Sequence, residues 1–450
     1  MKKSETIMGY LPDEKPSLGK MILFAIQQIL VMFPATVMVA LLTGFHVSTT
    51  IFASGFATLC FLFITKGKIP LYYGSSFSYI TAIVGITGGA SGAIAMGNVA
   101  PDHLISQAQF GIIASGLVSI LAGFVVNKFG QEKIEKFLPA TVTGSIAIII
   151  GLSLAGSAMT GAIGYNEVAN TMDMNSVIVA FVTLTATVIF SVYVKKGILG
   201  QLPILLGIGV GYILALSLGM IDFSGVMANG VFSLPHFTLP EPNMAAIWAI
   251  MPIAIATIPE STAHVFQLDI YVNNLAKKMG SKKKYDIENK LGSNLIGDGV
   301  ADIVSAAIGG PAGTNYGENI STMAITNNFS VYVLGAAAVL AMIISFFSPL
   351  AAIVTSVPAS VINGAGIYLF GVIGAQGIAI IINKEVDLFD PKNLAIIAII
   401  LVVGLGGNFA FPGGMIPIGT MQLPAIATAS ILGILFNILL NFREIFLGRK

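Results

Sequence analysis

One cysteine in 450 residues excludes a disulfide framework and a cysteine-rich metal site. Cys60 sits inside the apolar run 56–64, as a small hydrophobe and not as a reactive thiol. Charge is equally scarce, at 10% of residues, where a soluble domain carries about 25%. With 55% hydrophobic residues and a mean hydropathy of +0.89, that shortage excludes a soluble globular domain and points to a polytopic membrane protein. The net charge is +1, and no basic stripe interleaved with aromatics is present, so nothing suggests nucleic acid as a partner. HExxH, GxSxG and CxxC are all missing. Of only four histidines, His46, His103 and His236 fall in or near loops, so an enzyme is not expected. Residues 1–17 are polar and lack a signal-peptide apolar region, so no cleavage is expected.

Apolar segments of spanning length fall near 21–44, 48–65, 107–127, 138–158, 174–194, 198–219, 243–268, 330–350, 358–382, 393–409 and 424–442. Three weaker ones are 75–98, rich in Gly and Ser; 291–309, carrying Asp298 and Asp302; and 316–327, too short to span alone. The expected fold is therefore an all-α polytopic membrane protein of about fourteen transmembrane segments, each needing about 20 residues. The cations agree with that count. They precede the first segment (Lys2, Lys3, Lys15, Lys20) and follow the even-numbered ones (Lys66, Lys68, Lys128, Lys133, Lys136, Lys195, Lys196, Lys277 through Lys290, Lys384, Lys392, Arg443, Arg449, Lys450). Loops 91–106, 159–173, 220–242 and 408–423 contain none. By the positive-inside rule both termini are cytoplasmic, in a multi-pass protein of the cell membrane. The fifty glycines suit close helix packing.

Segments 3 and 10 share one irregularity. Each begins with a polar, glycine-containing stretch, Tyr72-Tyr-Gly-Ser-Ser-Phe-Ser78 and Gly313-Thr-Asn-Tyr-Gly-Glu-Asn319, and continues as only a brief apolar helix. Interrupted segments at matching positions of two halves point to a transporter site built from a repeat. They lie seven segments apart, and because seven is odd the halves would be inverted. Non-helical backbone at that depth is tolerated only where protein or substrate satisfies its polar groups.

Two acids sit inside membrane-type sequence, Glu260 and Glu318. A carboxylate at the bilayer centre costs about 3 kcal/mol on insertion scales, so acids rarely persist there without a task. Glu260 precedes Lys277 by 17 residues, about 25 Å of helix, which carries it well into a hydrocarbon core about 30 Å thick. His264 follows one turn later on the same face. Carboxylates accept from ring N–H groups, and free backbone N–H groups near Phe77 and Gly317 donate to ring carbonyls. Such a set suits a planar nucleobase such as uracil and argues against an anion. Asp298 and Asp302, spaced i, i+4, share a face toward the site or toward segment 10, where they brace the irregular backbone or touch substrate or protons.

Gly74-Ser-Ser-Phe77, Glu260-x-x-x-His264, Gly297-Asp-Gly299 and Tyr316-Gly-Glu-Asn-Ile320, in this order, resemble the nucleobase–ascorbate transporter (nucleobase–cation symporter-2) family, on its bacterial uracil-permease branch. The likeness runs from Leu11-Pro12 to about Leu440. In the family signature Asn315, Gly317 and Thr322 fit while Thr314 and Met323 depart, and Gln28 stands where relatives often carry His. The resemblance implies fourteen spans in two inverted repeats of seven, with short antiparallel strands in segments 3 and 10. A cytoplasmic tail, 1–20, would precede a core domain (21–127 and 243–350, segments 1–4 and 8–11) and a gate domain (128–242 and 351–445, segments 5–7 and 12–14). It implies that Glu260 and Glu318 bind the base by side chain, Phe77 and Gly317 by backbone amide, and that His264 assists. Ser76, Asp298, Asn319 and Thr322 support the site, and Glu260 with His264 handles the coupling proton.

The function expected is uracil import by proton symport and alternating access, with a xanthine or urate permease of the same fold as the alternative. A sulfate-type anion transporter is the more distant rival, and would normally carry a C-terminal regulatory domain. No metal and no cofactor beyond the coupling proton is expected. The partners are a small nucleobase and the lipid bilayer, with homodimerisation left open.

Overall fold

The computed structural model describes residues 9–88, 99–130, 136–166, 169–194, 199–221, 230–419 and 421–446. Lys2, Lys3, Lys133, Lys195, Lys196, Arg449 and Lys450, the outer end of segment 3 and residues 222–229 of loop 220–242 lie outside the described residues.

A helix occupies each of the fourteen expected segments. In chain order they are α1 (Leu18–Thr43), α2 (Val47–Ile64), α3 (Ile80–Thr87), α4 (Asp102–Phe129), α5 (Ala140–Ala162), α6 (Met174–Tyr193) and α7 (Pro203–Ser217). Then follow α8 (Met244–Lys278), α9 (Leu291–Ala307), α10 (Gly317–Thr326), α11 (Val331–Ile344), α12 (Ala359–Asn383), α13 (Pro391–Ala410) and α14 (Ala425–Leu440). Among the described residues eight of them are long and apolar enough to cross a membrane by themselves. The boundaries differ from the sequence expectation where hydropathy is a poor guide. The polar end of α8 runs on to Lys278, ten residues past the apolar window, because nothing there breaks the helix. The segment 330–350 holds α11 and the start of a second short helix, Ser348–Thr355, which Pro349 opens. Residues 9–17 are not a free tail. Tyr10 N–H donates to Asn327 O at 2.8 Å, Phe329 N–H to Tyr10 O at 2.8 Å and Val331 N–H to Pro12 O at 3.1 Å. Asp13 accepts from Lys283 Nζ and the Tyr285 hydroxyl, which hold its carboxyl below the usual range.

The surface has the polarity expected of a protein in lipid. Phe63, Leu121, Phe181, Ile213 and Val402 are exposed, whereas Thr36, Gln109, Asn294, Asn315 and Asn319 are buried. Small residues let helices touch backbone to backbone. A Cβ on Gly116 would come within 2.6 Å of the Gly299 carbonyl, and one on Gly123 within 2.6 Å of that of Gly292, so α4 and α9 lie in direct contact. Two sets of helices result. α1, α2, α4, α9 and α11 pack on one another, with α8 against α4; α5, α6, α7 and α12 pack together, with α13 and α14 against α5.

Two strands interrupt this helical plan. β1 (Tyr73–Ser75) precedes α3 and β2 (Gly313–Asn315) precedes α10, and they pair antiparallel with Tyr73 opposite Asn315 and Ser75 opposite Gly313. The chain is extended here because glycine weakens helix and because side chains capture the pair. The Tyr316 hydroxyl donates to Ser75 O at 3.0 Å and lies 2.9 Å from Thr36 Oγ1. Asp302 accepts from Gly313 N–H at 2.8 Å and from the Tyr73 hydroxyl. Ser54 and Thr58 of α2 donate to Tyr73 O at 2.8 and 3.1 Å. A second, unforeseen hairpin, β3 (Met415–Ile418) with β4 (Met421–Pro424), leads into α14.

The strand pair leaves no space at Gly74, where a Cβ would lie 2.4 Å from the Tyr316 ring. Because two hydrogen bonds hold that ring, Gly74→Ala is expected to cost about 1–3 kcal/mol of stability through overpacking. Thermal unfolding in detergent measures this; an unchanged midpoint would mean that Tyr316 yields without loss.

Candidate functional site

The paired strands aim two helix N-termini at one place. A single turn, Phe77–Tyr79, leads into α3, and Gly317 opens α10. As first residues of helical turns, Phe77 and Gly317 have N–H groups with no intrahelical acceptor, and the positive ends of both helix dipoles lie there. Ser76 takes up one neighbouring donor, accepting from Ser78 N–H at 3.3 Å, while no side chain caps α10. A Cβ on Gly317 would stand 2.9 Å from His264 Nε2, so the absence of a side chain is what lets α8 approach this helix start.

Around these termini lies a cavity of about 570 Å³, within the usual range for small-molecule sites. Phe77, Glu260, His264, Gly317 and Glu318, all singled out in the sequence, line it together. Glu260 accepts from Ser78 Oγ at 3.3 Å, a long contact that leaves most of its acceptor capacity free. Glu318 is exposed to the cavity. His264 lies one turn from Glu260 without a hydrogen bond between them, and its Nδ1 is buried with no partner. Among the described lining residues there is no Lys or Arg.

The other residues expected at the site sit behind this surface. Asp298 Oδ2 accepts from Ser261 Oγ at 2.7 Å, Asn294 Nδ2 at 3.1 Å and Asn315 Nδ2 at 3.2 Å, so it fixes α8, α9 and β2 to each other. Asp302 holds the strand pair from the same helix face. Asn319 Nδ2 donates to Gln28 Oε1 at 2.7 Å and Gln28 O at 3.0 Å, which ties α10 to α1 through the residue that stands in place of histidine. Thr322 is buried on α10 away from the cavity, its carbonyl accepting from Thr326 Oγ1.

Sequence reasoning missed the wall that the second helix set supplies. Thr143, Ile146 and Ile150 of α5 and Ile373, Gln376 and Asn383 of α12 line the same cavity as Glu260 and Glu318. Gln376 and Asn383, seven residues apart and thus on one helix face, are polar positions in an apolar helix, and that spacing was a readable signal. The lining continues along Gln267 and Tyr271, on the helix that ends in Lys277 and Lys278, to Asn383, which adjoins Lys384, so the cavity extends toward the end of the bundle that carries the cations. At the other end the two helix sets meet: Gly85 of α3 packs toward Met415, and Thr81 toward Gly414.

A permease-family model matches residues 19–413 of the chain. The chain is 36% identical over 440 residues to a uracil permease of Bacillus caldolyticus, covering 96% of this chain and 94% of the relative. It is 33% identical over 423 residues to the uracil permease of Escherichia coli K12, covering 94% and 91%. Among solved structures it is similar to murine Solute Carrier 26 family member A9, an anion transporter in the inward-facing state. That match has a TM-score of 0.64 at 13% identity over 96% of this chain and 69% of the other. The transmembrane domain of the cyanobacterial bicarbonate transporter BicA gives 0.57 at 13%, over 94% and 97%. Both likenesses concern the fold alone.

Proposed function

The chain belongs to the nucleobase–ascorbate transporter family, a multi-pass membrane family of nucleobase transporters, and from that premise we propose that it imports uracil by proton symport through alternating access. The observation that carries the reading is the meeting of two carboxylates and two helix starts in one cavity. Uracil alternates ring N–H donors with carbonyl acceptors along its edge. Glu260 and Glu318 accept from the donors; the Phe77 and Gly317 amides donate to the acceptors. The Phe77 ring, held edge-on by Phe370 at 5.8 Å between centroids, supplies an apolar wall. An anion would be drawn to the two helix dipoles but repelled by the two carboxylates, with no lysine or arginine in the described lining to offset them.

The two helix sets act as the core (segments 1–4 and 8–11) and gate (5–7 and 12–14) of the cycle. Fourteen crossings in two inverted halves would put both termini on one side, and the cations at that end favour the cytoplasm. The cavity is then the inward-open state, closed outside where α3 meets residues 412–415. Glu260 and His264 carry the proton between the two states. Support comes from the packing of the two sets, from the opposed helices α3 and α10, and from the cation-bearing end to which the cavity extends.

Equilibrium binding to purified protein tests the substrate. Uracil and close 5-substituted analogues are expected to bind tightest. Xanthine and urate should bind at least about tenfold worse, the cost of one unmatched polar contact of about 1.4 kcal/mol. Xanthine displacing uracil at equal or lower concentration would replace this reading with a purine permease.

A further inference from the structure

At the end of the bundle opposite the lysines, three side chains from three separate segments converge, and the transport site uses none of them. His46 precedes α2, Asp102 opens α4, and His236 lies in the crossing that leads into α8. His236 Nε2 lies 2.8 Å from Asp102 Oδ2, and His46 Nε2 lies 3.6 Å from Asp102 Oδ1. The imidazole centroids are 4.4 Å apart with planes inclined by 42°, and the three donor atoms lie within 4.8 Å of one another. His46 Nε2 is buried and has no hydrogen-bond partner, although it faces this group. A buried ring nitrogen without a partner is costly unless something occupies it.

The scaffold beneath the cluster is fixed. Thr49 Oγ1 donates to His236 O at 2.7 Å and Thr50 Oγ1 to His46 O at 2.9 Å. Gln109 of α4 donates to Thr238 O at 2.9 Å and accepts from Thr238 Oγ1 at 2.7 Å. The backbones that present the three side chains are thus anchored to α2 and α4 by bonds that do not involve the side chains themselves. Tetrahedral donors at about 2.0–2.1 Å from zinc stand about 3.4 Å apart; His236 Nε2 at 2.8 Å and His46 Nε2 at 3.6 Å lie near that distance from the two oxygens of the Asp102 carboxylate, and one donor atom from each residue lies within 4.8 Å of the others. Two imidazoles and one carboxylate suit a borderline cation, whereas calcium and magnesium favour all-oxygen sites.

We propose that His46, Asp102 and His236 form a binding site for a divalent transition metal of the zinc class, with water as fourth ligand. The cation fastens the crossing 230–243 to α2 and α4. The same crossing is joined to the one after α11, through Ser233 N–H to Phe346 O at 3.0 Å and Ser348 N–H to Val231 O at 3.1 Å, so two of the three connections between the helix sets are held to each other.

The test uses full-length, tag-free protein stripped with chelator. Calorimetry should show one equivalent of Zn²⁺ bound, together with a raised unfolding temperature. Co²⁺ should give the intense visible absorption of a tetrahedral complex, and Mg²⁺ or Ca²⁺ should give neither effect. His46→Ala and His236→Ala should each weaken Zn²⁺ binding at least about tenfold while leaving uracil binding unchanged, which separates this site from the transport reading. Absence of Zn²⁺ binding by the unsubstituted chain overturns the proposal. So does one-equivalent binding that survives the double substitution. Should the variants fail to fold, the Co²⁺ spectrum of the unsubstituted chain decides: octahedral, weakly absorbing Co²⁺ rejects the site.

Discussion

Replacing Glu318 by alanine is expected to weaken uracil binding by about 30- to 150-fold, and Glu260→Ala by a similar factor. Each substitution leaves a ring N–H unpaired in a desolvated site, a loss of about 2–3 kcal/mol. Glu318 is open to the cavity from the first turn of α10, and Glu260 has only its 3.3 Å contact with Ser78, so neither carboxylate is committed to protein partners. The framework does not depend on them. Asp298 and Asp302, with Tyr73 and Tyr316, hold the strands in place, so both variants should insert and unfold at temperatures near that of the unsubstituted protein. Equilibrium binding with labelled uracil, alongside thermal unfolding as a folding control, measures the effect. Unchanged binding in either variant would remove that residue from the substrate site.

Uptake of uracil into proteoliposomes should rise with an inward proton gradient and be abolished by a protonophore, with no requirement for sodium. Uracil is neutral near pH 7, so the membrane potential cannot concentrate it and a co-transported cation is needed. The ionisable side chains in the described lining, other than Tyr271 and Tyr316, are Glu260, His264 and Glu318, and His264 keeps a buried Nδ1 without a partner one turn from Glu260. A sodium ion would need several oxygen ligands. Asp302 Oδ1 and Asp298 Oδ2 already accept from Tyr73, Gly313, Ser261, Asn294 and Asn315. Uptake that persists with the protonophore and stops without sodium would overturn proton coupling and move the ion to these two aspartates.

Much of the site was legible because the bilayer makes polar residues conspicuous. Glu260, His264 and Glu318 stood out as ionisable groups in apolar sequence, and the glycine-bearing stretches before α3 and α10 announced interrupted helices. Asp298 and Asp302 were readable as a pair on one face, but not which way the face pointed; only their bonds to β2 place them behind the site. The wall formed by α5 and α12 was not found: the spacing of Gln376 and Asn383 marks a polar helix face but not what that face meets, and Thr143 is an ordinary residue until the two helix sets pack. The histidines followed the same logic. His46 and His236 lie 190 residues apart in loops, and no local pattern marks them as neighbours.

By itself, the sequence determined that this chain lives in a membrane, roughly where its helices run, and that its family is that of the nucleobase–ascorbate transporters. Hydropathy, cation placement and short motifs act over a few turns and are written locally. Tertiary structure alone decided the register in which β1 pairs with β2, the direction in which the cavity extends, and the division between carboxylates that face it and carboxylates that brace it. Each of these rests on contacts between residues tens to hundreds of positions apart, such as Tyr73 with Asp302 or Tyr316 with Thr36, whose energies arise only once the helices have packed.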